Sequence, residues 1–326
     1  MLGRGKGRKA GAGVAVLALV TIGTAGAGVP AHAASGGTTV APYVDMAGPN
    51  PSALDDAITK DGLTDFTAAF VIAKGCTPTW DDGTKVATNA AFADRIQTAR
   101  DEGAEPIVSF GGQAGKDLAR TCTDQAKVTA GYQAVIHQFG VNRVDFDVEG
   151  KALKDTAGLA RRFVAIHALE AANPGLVVSA TLPVGPSGLL ETGVQFLHRA
   201  HDADVRLDLV NIMAMDYGDA RDMGAAAISA ARGARTQLDA VWPADTYANL
   251  GVTPMIGVND TAVEVFSMKN ANTLVRFARQ NGLGRLGFWS IDRDQKCKPP
   301  KQKARADCSG VAQKPGAFAE TFASAG

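Results

Sequence analysis

Three acidic residues alternate along one short apolar run, residues 144–149, which reads VDFDVE. Side chains alternate between the two faces of a β-strand, so the carboxyl groups of Asp145, Asp147 and Glu149 share one face and the apolar side chains share the other. Adjacent carboxylates in a partly desolvated site repel each other, and one of them must hold a proton near neutral pH. The run therefore predicts an acid-base site in which a protonated carboxylic acid can act as a general acid.

Eight short apolar runs rich in β-forming residues are separated by stretches with helical periodicity. Three of these stretches have a clear apolar stripe, which predicts amphipathic helices. The members of the three stripes are Phe92, Ile96 and Ala99; Val128, Tyr132, Val135 and Phe139; and Leu159, Phe163, Ile166 and Leu169. The eight runs are residues 40–45, 66–73, 106–112, 144–149, 177–183, 209–217, 254–259 and 286–290.

The repeat of strand and helix predicts an α/β fold, a (β/α)8 TIM barrel forming a single domain over residues 40–326. The runs recur about every 35 residues, the length of one β/α unit in such a barrel. A doubly wound open sheet is the structural alternative, but it requires a glycine-rich phosphate turn after an early strand, and the sequence has none. Barrel enzymes place reacting groups at the C-terminal ends of strands, where the acidic run ends.

The first 33 residues have the pattern of a secretory signal peptide. Four basic residues precede an apolar run, residues 10–29, and an Ala-x-Ala site ends at Ala33. We expect cleavage there, a flexible linker over residues 34–39 and a secreted, extracellular protein with no membrane contact after removal of the signal. The alternative is that the segment remains as a membrane anchor.

Charge and cysteine usage narrow the class of protein further. The chain has 326 residues with 33 basic and 33 acidic side chains, and loss of residues 1–33 would leave a net charge of about −4. A nucleic-acid partner bound through phosphates is therefore not expected. In an oxidising compartment the four cysteines favour two disulfides, Cys297 with Cys308 and Cys76 with Cys122. No CxxC motif supports zinc, and no metal or cofactor is predicted.

Residues 142–149 resemble the catalytic strand of the family 18 glycoside hydrolases, the chitinases and their relatives, whose pattern is Asp-Gly-x-Asp-x-Asp-x-Glu. The three inner acids match, but Asn142 and Arg143 replace the leading Asp-Gly. The segment SFGG at residues 109–112 resembles the Ser-x-Gly-Gly signature of the family's third strand. Residues 213–218, MAMDYG, are similar to its Met-x-Tyr-Asp segment, with Met215 in place of the tyrosine. Together the matches cover essentially the whole chain after the signal.

The resemblance implies substrate-assisted retaining catalysis, in which the 2-acetamido oxygen of the sugar attacks its own anomeric carbon. Glu149 would protonate the leaving oxygen and later deprotonate water. Asp147 would orient the acetamide and stabilise the oxazolinium intermediate, and Asp145 would modulate the proton held between the acids. Coupled titration of the three acids is expected.

The same resemblance suggests substrate contacts around the acids. Tyr217 would hydrogen-bond the acetamido carbonyl, Asp216 would hold the sugar or water, and Trp289 would stack beneath the pyranose ring. Other candidate substrate contacts at the ends of strands are Met215, Gln113, Tyr43 and Asn259.

The resulting hypothesis is a monomeric, secreted chitinase that hydrolyses β-1,4-linked N-acetylglucosamine polymers and binds chitin or chito-oligosaccharides. An endo-β-N-acetylglucosaminidase acting on N-linked glycans is a second enzymatic interpretation. A non-hydrolytic chitin-binding lectin is the third, because fold does not fix function. In such lectins the acid is replaced, whereas Glu149 is present here.

Overall fold

The computed structural model describes residues 1–3, 37–113, 116–261, 263–298 and 303–326. From residue 4 onward the predicted signal peptide lies outside the described residues, as do residues 34–36 of the predicted linker. The first strand begins at Thr39, so the last residue of that linker belongs to the folded unit. The described residues from 37 onward pack as one compact unit.

The apolar runs form a parallel sheet to which two short antiparallel additions are joined. Its neighbours follow the order β1-β13-β10-β9-β7-β6-β5-β3-β2, while β4 pairs with β3, β8 pairs with β7, and β11 pairs with β12 separately. The strands are β1 (Thr39–Val40), β2 (Tyr43–Asp45), β3 (Asp65–Lys74), β4 (Thr77–Trp80), β5 (Glu105–Gly111), β6 (Arg143–Asp147), β7 (Val177–Gly185), β8 (Gly188–Leu189), β9 (Leu209–Met213), β10 (Leu250–Thr253), β11 (Gly257–Val258), β12 (Val265–Phe266) and β13 (Arg285–Leu286).

The parallel sheet closes on itself through one segment. β1 pairs with β13, with Thr39 opposite Arg285, and β2 pairs with β3, with Tyr43 opposite Thr67. Two residues separate β1 from β2, so the first and last strands of the sheet are halves of a single chain segment. The predicted α/β barrel of eight β/α units is confirmed.

Helices cover the outside of this sheet in alternation with its strands. The predicted stripes are confirmed, because Ile96, Val135 and Phe163, one from each, are buried in the core. Asn89, Asp124 and Asp155 cap the N-termini of three helices by accepting hydrogen bonds from backbone N–H groups. The helices are α1 (Ala53–Thr59), α2 (Ala90–Asp101), α3 (Leu118–Thr121), α4 (Gln125–Phe139), α5 (Thr156–Ala172), α6 (Glu191–Asp202), α7 (Met223–Val241), α8 (Met268–Asn281) and α9 (Ala317–Ala323).

Several predicted strands have different bounds in the structure. The eighth, predicted at residues 286–290, is β13, Arg285–Leu286, so Trp289 lies beyond its end. The seventh strand was predicted at residues 254–259, but the sheet strand is β10, Leu250–Thr253. Pro254 has no N–H to donate to a ladder, which ends the regular strand there. The sixth strand was predicted to reach Tyr217, but β9 ends at Met213, and Asp216 has a left-handed backbone with φ of 52°. The chain therefore leaves the sheet before Tyr217.

Both disulfides form with the predicted partners. Cys76 is bonded to Cys122, and Cys297 is bonded to Cys308. The first joins the β3–β4 hairpin to the end of α3, and the second closes a loop that follows β13. None of the helices within the described residues is long and apolar enough to span a membrane.

Candidate active site

The predicted acids lie inside the barrel at and just beyond the end of β6. Asp145 and Asp147 are buried, and Glu149, two residues after the strand, is half-buried. The alternate side chain, Phe146, points toward the helices and stacks on Phe110 with ring centroids 5.3 Å apart. The two faces of this strand are therefore as the alternation predicts.

Hydroxyl groups from the two neighbouring strands, β5 and β7, and from the more distant β2 surround the innermost acid. Ser109 donates to Asp145 Oδ2 at 2.8 Å, and Ser179 donates to Oδ1 at 2.7 Å. These two serines are the register partners of Asp145 on β5 and β7. Thr181 lies 2.9 and 3.0 Å from the two carboxyl oxygens, and the Tyr43 hydroxyl donates to Oδ2 at 3.2 Å. Both oxygens accept hydrogen bonds, which is the pattern that a carboxylate requires.

A further polar residue ties this network to the other side of the barrel. Asn211 Nδ2 donates to the Tyr43 hydroxyl at 3.2 Å and to Thr181 Oγ1 at 3.1 Å. Its Oδ1 accepts a hydrogen bond from Thr253 Oγ1 at 3.0 Å. The barrel interior below the site is therefore a connected polar layer in which each donor is oriented by its neighbours.

The next acid along the strand has a different environment. Asp147 is 4% exposed, and its Oδ1 lacks a hydrogen-bond partner among the described residues. Burial, followed by the charges of Glu149 and Asp145, raises the pKa of Asp147 well above its ordinary value. Burial also raises the pKa of Glu149. Because desolvation disfavours ionisation of both groups, and like charges also disfavour that of Asp147, the outer two acids retain a proton more readily than free carboxylic acids do.

A glycine on the third barrel strand lets the backbone of β5 approach Asp147. Gly111 has φ of 111°, a value that side-chain-bearing residues rarely adopt, and a Cβ there would lie 2.2 Å from the Asp147 carbonyl oxygen. The next residue, Gly112, donates its N–H to that carbonyl at 3.1 Å. The SFGG segment thus positions the backbone that carries the second acid.

The segment after β9 lies beside a second buried carboxyl group. The Tyr217 hydroxyl is buried and has no hydrogen-bond partner among the described residues. Burial, followed by the charge of Glu264, raises the pKa of Tyr217. Glu264 accepts a hydrogen bond from the Gly218 N–H at 2.5 Å, and the exposed Asp216 accepts one from the Thr261 N–H at 2.7 Å. Tyr217 is therefore placed by loops, rather than by the strand alternation predicted for it.

Aromatic rings line the site on the side of the first and last strands. Trp289 is half-buried and stacks on Phe70 with ring centroids 5.6 Å apart and planes inclined by 17°. The ring centroid of Tyr43 lies 6.1 Å from that of Trp289 and 6.0 Å from that of Phe70. The peptide bonds Ala69–Phe70 and Trp289–Ser290 are cis. The predicted tryptophan thus lies in a cluster with a phenylalanine that the sequence analysis did not single out.

The remaining predicted contacts occupy different environments. Gln113 is exposed directly after β5, and Met215 is half-buried. Tyr43 is 2% exposed and serves as a partner of Asp145. Asn259 is fully buried, and its Nδ2 donates to the carbonyls of Met255 and Gly257 at 2.8 and 3.1 Å. The structure therefore gives Tyr43 and Asn259 hydrogen-bond partners within the protein.

Three comparisons with known proteins relate this barrel to others. The family model of glycosyl hydrolases family 18 matches residues 39–261. A probable bifunctional chitinase/lysozyme of Escherichia coli K12 is 31% identical over 275 residues, which cover 78% of this chain and 30% of that protein. Endochitinase 11 of Metarhizium anisopliae is 30% identical over 272 residues, which cover 78% of this chain and 52% of that protein.

A solved structure has the same fold. The catalytic domain of the hyperthermophilic chitinase from Pyrococcus furiosus is 29% identical, with a TM-score of 0.79 and coverage of 87% of this chain and 93% of that one. This chain therefore has the (β/α)8 barrel of that solved domain. The chain belongs to glycosyl hydrolases family 18. It spans 30% and 52% of the lengths of the two curated relatives.

Proposed function

We propose that this protein is a chitinase that hydrolyses β-1,4-linked N-acetylglucosamine polymers by substrate-assisted retaining catalysis. The observation that carries the proposal is the contrast along β6. Asp145 accepts hydrogen bonds on both oxygens, whereas Asp147 Oδ1, deeper in the site than Glu149, has no partner among the described residues. An unpartnered buried carboxyl group between two other acids is costly for folding alone and is typical of a catalytic site.

The chemistry follows from these environments. Glu149, with its raised pKa, is the general acid that protonates the leaving glycosidic oxygen and then the base that deprotonates water. Asp147 accepts a hydrogen bond from the N–H of the substrate's 2-acetamido group. This contact orients the acetamido group so that the carbonyl oxygen of the acetamido group attacks the anomeric carbon. Asp147 also stabilises the positive charge of the resulting oxazolinium. This route requires an N-acetylglucosamine unit at the cleaved bond and needs no second carboxylate as nucleophile.

The aromatic and loop residues supply substrate contacts in this proposal. The ring of Trp289 stacks beneath the sugar, and its packing on Phe70 fixes the orientation of the indole. The unpartnered Tyr217 hydroxyl donates to the acetamido carbonyl, and Asp216 contacts the sugar or the incoming water. Met215 and Gln113 complete the contacts at the mouth of the barrel.

We also propose that the protein is exported as a monomer. The signal-peptide pattern of residues 1–33 supports export, and the two disulfides are compatible with an oxidising compartment. Export would place the enzyme where insoluble chitin is found.

One comparison of substrates tests this function. We expect the purified protein to release reducing ends from colloidal chitin and to leave a high-mannose glycoprotein intact. Release of glycan from the glycoprotein without action on chitin would instead indicate an endo-β-N-acetylglucosaminidase. Binding to chitin without release of reducing ends would indicate a lectin, and either result would overturn the proposal. The named activities of the Escherichia coli and Metarhizium anisopliae relatives favour chitin.

A further inference from the structure

A buried arginine lies inside the barrel below the acids. Arg285, on β13, is 3% exposed, and its Nη1 donates to Ser179 Oγ at 3.0 Å. The same nitrogen lies 3.7 Å from Asp145 Oδ1. Because Ser179 in turn donates to Asp145 Oδ1 at 2.7 Å, the guanidinium reaches the carboxyl group both directly and through this hydroxyl.

The neighbouring strand is built to accommodate this side chain. Gly251 of β10 is the register partner of Arg285, and a Cβ at Gly251 would lie 3.1 Å from the Arg285 Cβ. The same Cβ would lie 2.7 Å from Asn211 Oδ1. A larger residue at this position would displace either the arginine or the asparagine, so the absence of a side chain on β10 creates space for a cation in the barrel.

The other charged groups near Arg285 leave Asp145 as its counterion. Besides burial, the groups whose electrostatic interactions act on the pKa of Arg285 are Asp145, Tyr43, Arg143 and Asp65. Asp65 is paired with Arg143 at 2.5 Å. Within the described part of the chain, Asp145 is the one carboxylate within ion-pair distance of Arg285. A buried cation without a counterion is expensive, and Asp145 supplies the negative charge that stabilises the guanidinium.

We propose that Arg285 is a positioning residue that acts through Asp145. Its guanidinium, directly and through Ser179, holds the Asp145 carboxyl group in place and sets a positive charge beside the acids of β6. The inference rests on the proposed glycosidase function.

The proposal has a definite sign. Removal of a positive charge makes the ionised form of every nearby carboxyl group less favourable. The effect is strongest at the nearest carboxyl group, that of Asp145. The cluster then takes up its additional, inactivating proton at a higher pH. The acidic limb of the kcat/KM profile therefore shifts upward, by about one pH unit.

The test compares pH profiles of variants on a soluble chito-oligosaccharide. Arg285→Met should shift the acidic limb upward, Arg285→Lys should restore it toward the wild-type position, and Ser179→Ala should shift it less than Arg285→Met. The matched control is Arg162→Met, which removes another buried arginine, one paired with Asp117 in the helical layer. That control should lower the melting temperature without moving the limb.

A second readout covers an inactive or poorly folding variant. Titration of 13C-labelled aspartate carboxyl groups by NMR should show the acidic cluster of β6 taking up its last proton at a higher pH in Ser179→Ala than in the wild type. Arg285→Met should show the same shift if that variant folds. Unchanged pH profiles and unchanged carboxyl titrations with an active wild-type enzyme would overturn the role of Arg285 alone. An inactive wild-type enzyme would overturn the proposed function, and the NMR titration would still decide the inference.

Discussion

Two aspartates on the same strand, two residues apart, have opposite hydrogen-bonding environments. Asp145 accepts hydrogen bonds from Ser109, Ser179 and Tyr43, whereas Asp147 Oδ1 has no partner in the described part of the chain. Hydrogen bonds to a charged carboxylate favour ionisation, and desolvation without them opposes it. The different environments of the two acids are therefore set by residues on other strands.

The sequence of β6 predicts where its acids point, but not what they contact. Alternation along a strand is local, so the shared face of Asp145 and Asp147 can be read from residues 144–149 alone. Ser179, which donates to Asp145, and Asn211, which donates to Tyr43 and Thr181, come from strands whose register is set by closure of the barrel. A signal for them was present, because both are polar residues within otherwise apolar runs, Val177–Gly185 and Leu209–Met213.

The role of Tyr217 can be tested at the level of one hydroxyl group. We expect Tyr217→Phe to lower kcat/KM on a chito-oligosaccharide about 10-fold, because the acetamido carbonyl would lose a hydrogen bond made in a buried site. The matched control is Tyr247→Phe, since the Tyr247 ring packs on Phe277 beside the start of β10, away from the acids. An unchanged rate in Tyr217→Phe would remove this tyrosine from the mechanism.

At the level of elements, strand positions were predictable where the apolar run is long, and less so where it is short. The run at Asp65–Lys74 is clear, but β10 has four residues with a glycine, Gly251, at its second position. The predicted segment, residues 254–259, itself contains Pro254 and Gly257, so local propensity does not distinguish it from β10. Strand seven forms at Leu250–Thr253 because β9 and β13 pair with it on either side.

The end of β5 offers a test of how an element positions the acids. We expect Gly111→Ala to destabilise the fold by about 3 kcal/mol or more, because a Cβ would overlap the Asp147 carbonyl oxygen as well as strain the backbone. It should also lower kcat, since the β6 backbone would have to move. Chemical denaturation and steady-state kinetics measure the two effects.

The matched control for this substitution separates overlap from strain. Gly103 has a similar φ of 96°, and no atom lies within 4 Å of a Cβ placed there. Gly103→Ala should cost about 1–2 kcal/mol with kcat unchanged. Equal losses of stability in the two variants, with normal kcat in Gly111→Ala, would contradict the positioning role of β5.

At the level of the whole molecule, the site lowers the stability of the fold that carries it. Burial raises the pKa of Asp147 in the folded state above its ordinary value of 3.8. A group whose folded pKa is raised contributes stability that is fully present below the ordinary pKa and is lost as the pH rises through the raised pKa. The folded protein is therefore penalised for this acid at neutral and alkaline pH.

Asp147→Asn should reverse that penalty while abolishing most hydrolysis. We expect the gain in the free energy of unfolding to be small at pH 4 and to reach about 1–3 kcal/mol at pH 8. The control, Asp145→Asn, should be less stable than the wild type at pH 8. The hydroxyl groups and the Arg285 guanidinium around residue 145 would then lose the carboxylate that they contact. Urea denaturation at the two pH values measures both. A gain for Asp147→Asn that is largest at pH 4 would contradict this account.

The central claim is that Glu149 donates and reclaims the proton in hydrolysis, and the most direct measurement is the turnover of a chito-oligosaccharide by Glu149→Gln. The amide keeps the shape of the side chain but cannot transfer the proton, so we expect kcat to fall about 1000-fold or more, with oligosaccharide affinity and melting temperature near the wild-type values. The control is Glu170→Gln on α5. Burial raises the pKa of Glu170 to about 7, but this residue lies away from the acids of β6. Wild-type turnover by Glu149→Gln would contradict the account.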